Sequence, residues 1–238
     1  MSKLRNVSGH IFDVRYSGLK LAEKTTLDLA AVYNFSNEKN KQNVQADDGV
    51  LLTAVLQQGL SNGFNQTILQ YGTNSYGAQM PGFGAGAWYD RSGDNNDADG
   101  YRVINWGVVS LGDNIEVGHQ AMFAKATDVD SDGKAAGSAT GDHDVMSLVI
   151  RPMYKWNQNM KTILELGYFD ETKADDKDYS GSKTTIAQAW SMGNGFWSRP
   201  EIRIFASYLT SGDESKLGGS SDKGDNDFSV GMQVEAWW

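Results

Sequence analysis

The C-terminal segment Asp227–Trp238 restricts the possible folds more than any other part of the chain, because apolar and polar residues alternate along it. Side chains of a β-strand point alternately to its two faces, so this segment would have one apolar and one polar face. The apolar face would hold Phe228, Val230, Met232, Val234, Ala236 and Trp238. The polar face would hold Ser229, Gly231, Gln233, Glu235 and Trp237. A strand with one face suited to lipid and one suited to water is typical of an outer-membrane β-barrel.

The same alternation recurs in about eleven segments of roughly ten residues, the length that a tilted strand needs to cross a bilayer. The C-terminal segment is the clearest, and the same pattern recurs in residues 12–16, 27–35, 148–156 and 202–208. Tyrosine and tryptophan lie near the segment ends, as in the aromatic girdles at both membrane surfaces. These segments predict an all-β chain, although alternation alone also occurs in soluble β-sandwiches.

The connections between these segments favour the barrel over the sandwich. Short connections lie near residues 17–24, 58–65, 112–114, 157–160 and 191–199. Long polar connections lie near residues 36–48, 72–100, 127–144, 171–183 and 211–226. The two kinds alternate strictly, as short periplasmic turns and long external loops do in a membrane barrel. The sequence therefore predicts an antiparallel transmembrane β-barrel in the outer membrane of a Gram-negative cell, with lipid around it.

The loop order also orients the chain. The last strand follows a long loop and so runs towards the periplasm, and counting back gives the same direction to the first strand, near residues 8–16. Complete barrels of this kind normally start in the periplasm, where their first and last strands pair and remove the sheet edges. Residues 1–8 also lack the apolar stretch of a secretory signal. We therefore expect residues 1–238 to be the C-terminal part of a single barrel domain, without its N-terminal strands and signal peptide.

Charge and motifs exclude several classes of function. A net charge of −9 would repel nucleic-acid phosphates, and the absence of cysteine excludes disulfides and thiolate metal sites. The run Asp128–Asp132 resembles the start of an EF-hand loop, but its twelfth position is Ala139, so we predict no metal site. The sequence has three scattered histidines and neither an H-E-x-x-H nor a G-x-S-x-G motif. We predict no catalytic residues, although His119 leaves a barrel hydrolase as an alternative.

Charged residues on the polar faces indicate a water-filled lumen, because a basic side chain at the bilayer midplane costs about 2–4 kcal/mol. These residues are Asp13, Arg15, Arg151, Lys155, Arg203 and Glu235. Their mixed signs suit a neutral, hydroxyl-rich solute, and structural ion pairing within the wall is an equally open interpretation. Trp237 also points inwards by parity, where its ring is suited either to stacking on a sugar or to packing within the wall.

Four motifs, taken together, resemble the C-terminal part of the maltoporin family. They are Ile11–Arg15, Arg151–Trp156, Trp197–Phe205 and Gly231–Trp238, in the order of the family and with compatible spacing. The resemblance extends over nearly the whole chain. It implies an eighteen-stranded barrel, of which about eleven strands are present, assembled as a homotrimer when complete.

The resemblance also implies a function, namely the passive, facilitated diffusion of maltose and maltodextrins along a row of aromatic rings called the greasy slide. By local motif, three of those rings correspond to Phe64, Trp197 and Trp237, with Phe64 and Trp197 expected in short turns at the periplasmic end. The family's other slide rings, much of its ionic track and its constriction loop belong to the N-terminal part. No cofactor is implied, and phage binding to the external loops is a family trait.

Other functions stay open on the sequence alone. Within transport, a sucrose-type or general porin differs from a maltoporin mainly in constriction residues that lie outside this sequence. A barrel hydrolase and a soluble sugar-binding β module are alternatives of a different class. Because an open sheet with two unpaired edges should not insert stably into a bilayer, we also expect this chain alone to form no pore.

Overall fold

A computed structural model describes residues 9–36, 46–82, 89–91, 93–130, 140–213 and 226–236. These residues form one sheet of 11 strands, in which each strand pairs in antiparallel fashion with its neighbours in sequence. The strands are β1 (Gly9–Ala22), β2 (Thr25–Ser36), β3 (Gly49–Leu60), β4 (Gly63–Thr73), β5 (Asp99–Ser110), β6 (Ile115–Asp130), β7 (Thr140–Lys155), β8 (Met160–Thr172), β9 (Asp178–Ser191), β10 (Glu201–Asp213) and β11 (Asn226–Glu235). A short helix, α1 (Ser75–Ala78), lies between β4 and β5.

The observed sheet confirms the predicted all-β class and the predicted number of strands. Neighbouring strands pair because antiparallel strands need only a short turn between them. The register of the last pair runs without interruption from Glu201 opposite Glu235 to Thr210 opposite Asn226. Within the described residues, β1 pairs only with β2, and β11 pairs only with β10. No helix in this part of the chain has the length and hydropathy needed to span a membrane.

The two faces of the sheet differ in the way that the alternation predicts. One side, called the apolar face below, exposes large hydrophobic side chains, among them Leu148, Ile186, Ile204 and Val230. The other side, called the polar face, carries Arg151, Glu165, Lys183, Arg203 and Gln233. The exposed fraction on the apolar face reaches 72% at Val230. An apolar surface of this kind is favourable against lipid and unfavourable in water.

Aromatic side chains of the apolar face gather near the strand ends. At the long-loop end, where β2, β4, β6, β8 and β10 finish, three tyrosine hydroxyls donate to aspartates. The pairs are Tyr33–Asp48 (2.9 Å), Tyr71–Asp99 (2.7 Å) and Tyr168–Asp170 (3.1 Å). At the opposite, short-turn end, Tyr154 packs against Trp156 with ring centroids 4.7 Å apart. Rings with an apolar body and a polar tip form the girdles at a membrane surface.

Two connections differ from the predicted alternation of short and long. The β8–β9 connection, predicted to be long, spans only residues 173–177, because pairing continues as far as Thr172 and Asp178. The β9–β10 connection, grouped with the short ones on the sequence, spans residues 192–200 and is the longer of the two. β1 also continues past its expected end to Ala22, because that residue still pairs with Thr25.

The connection between β4 and β5 packs onto the polar face near the long-loop end. Its buried side chains Tyr76, Met80 and Tyr89 form a cluster with Leu51 of β3. Gly72 lies beneath them, where an added Cβ would be 2.8 Å from Cε of Met80. Burial raises the pKa of Tyr89 to about 12, so its phenol stays neutral. Part of the polar face is therefore covered from the long-loop end.

Candidate functional site

The connection between β9 and β10, residues 192–200, folds back over the polar face at the short-turn end. The backbone N–H of Phe196 donates to a carboxylate oxygen of Glu116 in β6 over 2.7 Å, although 80 residues separate the two in sequence. The other oxygen of this carboxylate is 2.8 Å from Nζ of Lys155. Hydrogen bonds to a carboxylate are among the stronger ones in proteins. Glu116 therefore ties the turn to the sheet.

The Phe196 ring makes a second attachment. It lies on Gly118 of β6, where an added Cβ would be only 2.7 Å from the ring atom Cε2. The guanidinium of Arg151 lies over the ring, with its carbon 5.2 Å from the ring centroid. Glycine allows this close approach to the backbone, and a cation over an aromatic face is attracted to it. Phe196 is thus an anchor with one face covered by Arg151.

A buried ion pair supports the turn. Nζ of Lys161 in β8 is 2.8 Å from the carboxylate of Glu201 in β10, and the exposed fractions of these side chains are 0% and 2%. The same Nζ donates to the backbone oxygen of Gly195 over 2.9 Å. A buried charge is tolerated only when it is paired and hydrogen-bonded. Lys161 meets both conditions and fixes the backbone of the turn at Gly195.

Arginines around Glu201 extend this pair into a network. Arg199, inside the turn, has Nη2 at 2.9 Å from the Glu235 carboxylate of β11. Its Nη1 donates to the backbone oxygen of Ser198 over 2.9 Å. Arg203 of β10 has Nη1 at 3.3 Å from Glu201. The network connects β8, β10, β11 and the turn, so the position of the turn is determined by several strands at once.

Trp197 differs from its neighbour Phe196 because much of its side chain can contact a solute. The exposed fraction of Trp197 is 52%. The two rings meet edge to face with their centroids 4.9 Å apart, so the anchored ring supports the exposed one. An exposed indole offers its face to apolar C–H groups and its N–H to a hydrogen-bond acceptor. The turn therefore presents Trp197 on a supported base.

Phe64 is the second residue of β4, and so lies in the strand rather than in the short turn expected from the sequence. Its ring meets the indole of Trp106 in β5 edge to face, with centroids 5.1 Å apart. Nε1 of Trp106 donates to Oε1 of Gln66 over 2.6 Å, which fixes the plane of the indole. Phe64 is therefore supported by a second ring, as Trp197 is.

Phe64 and Trp197 line one cavity of about 480 Å³ at the short-turn end. Glu116, Phe196 and Ser198 contribute to the same wall. The cavity combines aromatic surface with a few polar groups, which is the usual composition of a small-molecule site. The third ring of the sequence prediction, Trp237, lies outside the described residues, as does Trp238.

All the charged residues expected in the lumen wall take part in ion pairs. The pairs are Asp13–Arg15, Glu116–Lys155, Arg151–Glu165, Glu201–Arg203 and Glu235–Arg203. Structural pairing, one of the two interpretations that the sequence left open, describes Lys155 well, because its exposed fraction is 11%. Structural pairing describes Arg151 less well, because its contact to Glu165 is 3.8 Å long and its exposed fraction is 26%.

His119, on which a hydrolase interpretation depends, lies on the apolar face, where it pairs in the sheet with Ile150. Its Nε2 is 3.1 Å from Oδ1 of Asn65 and 3.1 Å from Oδ1 of Asn105. The cavity opens on the other side of the sheet. In the part of the chain that the structure describes, no three metal-binding side chains gather, and the run Asp128–Asp132 lies partly outside it.

Several residues of this site were missed from the sequence, among them Trp106, Glu116, Gly118, Lys161 and Phe196. Trp106 lies on the same face of β5 as the charged Arg102. The alternation along this strand therefore indicates that Trp106 faces the polar side of the sheet. Glu116 and Phe196 carry no local signal, because their contact joins positions 80 residues apart.

The family model described as LamB porin matches residues 2–238. A maltoporin of Vibrio cholerae serotype O1 is 47% identical over 98% of this chain and 59% of its own length. Maltoporins of Vibrio parahaemolyticus and Photobacterium profundum are 47% and 42% identical, over 96% and 100% of this chain and 83% and 55% of their own lengths.

This chain therefore spans 59% of the length of the Vibrio cholerae relative. The solved structure of in-vitro folded OmpT, an outer membrane protein of Vibrio cholerae, aligns at 12% identity with a TM-score of 0.49, over 92% of this chain and 62% of that chain. The family match, in contrast, includes every residue of the site described above. The chain belongs to the LamB porin family, and its strands lie in the bacterial outer membrane.

Proposed function

We propose that this chain forms part of the wall of an outer-membrane channel for the passive, facilitated diffusion of maltose and maltodextrins. The observation that carries the proposal is the cavity of about 480 Å³ that Phe64 and Trp197 line together. An exposed ring binds the apolar C–H patch of a sugar, while polar groups nearby exchange hydrogen bonds with its hydroxyls. Membership of the LamB porin family and the maltoporin names of the relatives support this choice of solute.

Diffusion along such a wall requires weak binding at each ring, so that the sugar can leave one ring for the next. Rings that are held in place before the sugar arrives lose little conformational entropy on binding. Phe196 and Trp106 supply this support to Trp197 and Phe64 through contacts of 4.9 and 5.1 Å between ring centroids. The proposal includes no bond-making step and assigns no residue a catalytic role, a cofactor or a metal.

The short-turn end of the sheet would lie at the periplasm. Phe64 and Trp197 would then be among the last rings that a sugar meets before it leaves the channel. Trp237, which faces inwards by parity, would follow them. The aspartate-anchored tyrosines of the long-loop end would lie at the cell surface, where phage attachment to the loops is the corresponding family trait.

Closure and assembly of the barrel also belong to the proposal. We infer that this chain corresponds to the C-terminal part of a single barrel domain, that further strands cover the edges of β1 and β11, and that closed barrels form a homotrimer. Unpaired strand edges are costly in a bilayer, which supports the inference that further strands cover the edges of β1 and β11. Planar-bilayer recordings from this chain alone should show no sugar-blockable channel. Currents blocked by maltotriose would contradict that expectation.

Calorimetric titration of the full chain in detergent micelles with maltotriose tests the choice of solute. We expect saturable binding, and a loss of about three- to tenfold in affinity for Trp197→Ala, because an aromatic contact contributes about 0.5–1.5 kcal/mol. Trp156→Ala is the matched control, since Trp156 packs against Tyr154 in the girdle at the same end. Absence of binding, or equal losses in the two variants, would contradict the proposal.

A further inference from the structure

A second cavity, of about 200 Å³, adjoins the first on the polar face. Trp197 lines both cavities, and so does Phe196. The lining of the second cavity also includes Trp106, Gln120, Arg151 and Glu165, none of which belongs to the three predicted rings. Drug-sized ligands occupy roughly 300–1,000 Å³, so this smaller cavity suits a single sugar ring.

The aromatic part of the second cavity is fixed before any solute enters. Nε1 of Trp106 bonds to Gln66 at 2.6 Å, and the edge of the indole packs against Phe64. Trp197 is supported by Phe196, whose own face is covered by Arg151. The rings that remain available for stacking in this cavity are therefore Trp106 and Trp197.

The polar part of the cavity is a carboxylate between two cations. Oε1 of Glu165 is 3.0 Å from Nζ of Lys183, and Oε2 is 3.8 Å from Nε of Arg151. The exposed fractions of Arg151 and Glu165 are 26% and 25%, so both groups can be reached from the lumen. A carboxylate accepts hydrogen bonds from hydroxyls and a guanidinium donates them.

We infer that this second cavity is a further glycosyl subsite, in which Trp106 and Trp197 contact the sugar ring and Arg151 and Glu165 bind its hydroxyls. The inference rests on the proposed function and assigns hydroxyl recognition to residues of β7 and β8. Arg151 and Glu165 also line a third cavity of about 140 Å³, together with Ser207, Arg203 and Gln233. Polar groups thus follow the wall from the aromatic rings towards β11.

The test compares a short and a long maltodextrin. The variants Glu165→Gln and Trp106→Phe, in the full chain in detergent micelles, are titrated calorimetrically with maltose and with maltohexaose. We expect maltohexaose affinity to fall by about tenfold in Glu165→Gln, because a hydrogen bond to a charged group is lost. In Trp106→Phe we expect a smaller fall, because the smaller ring contacts less of the sugar. In Glu165→Gln, maltose should keep its affinity, because it can occupy the first cavity alone and Glu165 does not line that cavity. In Trp106→Phe, which also alters the support of Phe64, maltohexaose should lose more affinity than maltose does.

Matched controls separate the subsite from general effects. Asp142→Asn removes the carboxylate of an ion pair with Lys125, and Trp156→Phe changes a girdle indole. Both should leave the two affinities unchanged. The variant Trp106→Phe keeps the test decisive if Glu165→Gln fails to fold, since it leaves the ion pairs intact.

Three outcomes would overturn the inference. Unchanged maltohexaose affinity in both variants would show that no sugar unit uses the second cavity. Equal losses for maltose and maltohexaose would show that Glu165 and Trp106 act only through the first cavity. A wild-type chain that binds neither sugar would contradict the proposed function as well, whereas the first two outcomes would leave it standing.

Discussion

The Glu116 carboxylate accepts a hydrogen bond of 2.7 Å from the backbone N–H of Phe196, across 80 residues of sequence. This contact joins the start of β6 to the turn between β9 and β10. Because Trp197 follows Phe196 directly, the contact also determines where the exposed indole lies relative to Phe64. The spacing of the two rings therefore depends on a carboxylate that itself need not touch the solute.

Glu116→Gln should weaken maltotriose binding without removing it. The amide still accepts from Phe196, but the bond loses the charge assistance of the carboxylate, and Lys155 loses its partner. We expect a loss of about three- to tenfold in affinity and faster hydrogen exchange in residues 192–200. Asp175→Asn, which breaks an exposed ion pair with Lys177, is the control and should change neither measurement.

Gly118→Ala should displace the Phe196 ring. The added Cβ would be 2.7 Å from Cε2 of that ring, whose other side is covered by Arg151. We expect the free energy of unfolding, measured by urea titration in detergent micelles, to fall by about 1–3 kcal/mol. Gly167→Ala is the matched control, because its nearest neighbour atom would be 3.9 Å away. Equal stability of the two variants would show that Phe196 does not pack as described.

Lys161→Met should be strongly destabilising. It would leave the Glu201 carboxylate, with an exposed fraction of 2%, without its nearest cation. Removing one partner of a buried ion pair costs about 3–5 kcal/mol. The double variant Lys161→Met, Glu201→Gln should recover part of this loss in the same urea titration, because no unpaired charge is left at that position. A single variant as stable as the wild type would contradict the buried pair.

Cysteine labelling can test the assignment of the two faces, because the sequence contains no native cysteine. Thr185 lies on the polar face, where its hydroxyl is 2.7 Å from that of Ser207. Its neighbour Ile186 lies on the apolar face, with an exposed fraction of 55%. In detergent micelles, Thr185→Cys should react with a charged, membrane-impermeant thiol reagent faster than Ile186→Cys, which the detergent shields. The reverse order would contradict the assignment.

Sequence alternation predicts the strands well because the two faces of each strand have different surroundings over its whole length. Leu148 and Ile150 expose their side chains on the same face, and no other residue of the chain is needed to infer this. Strand ends were less predictable. The pairing of Thr172 with Asp178 extends two strands into a stretch whose polar residues resemble a loop.

The site was predicted only in part because its geometry depends on long-range contacts. Phe64 and Trp197 were identified by family motif, and the cavity that they share forms only once the turn folds back. The turn folds back because Gly118 leaves room for the Phe196 ring and because Lys161 pairs with Glu201. Neither contact produces a periodic pattern in the sequence. Periodicity reports on the surroundings of a strand, and not on which turn reaches which strand.

The most direct test of the aromatic wall is the affinity for maltohexaose of the double variant Phe64→Ala, Trp197→Ala, measured by calorimetry on the full chain in detergent micelles. If one sugar chain stacks on both rings, the single variants should each bind about three- to tenfold more weakly, and the double variant more weakly than either. The girdle variant Trp156→Ala should bind as the wild type does. Wild-type affinity in the double variant would contradict sugar binding by these rings.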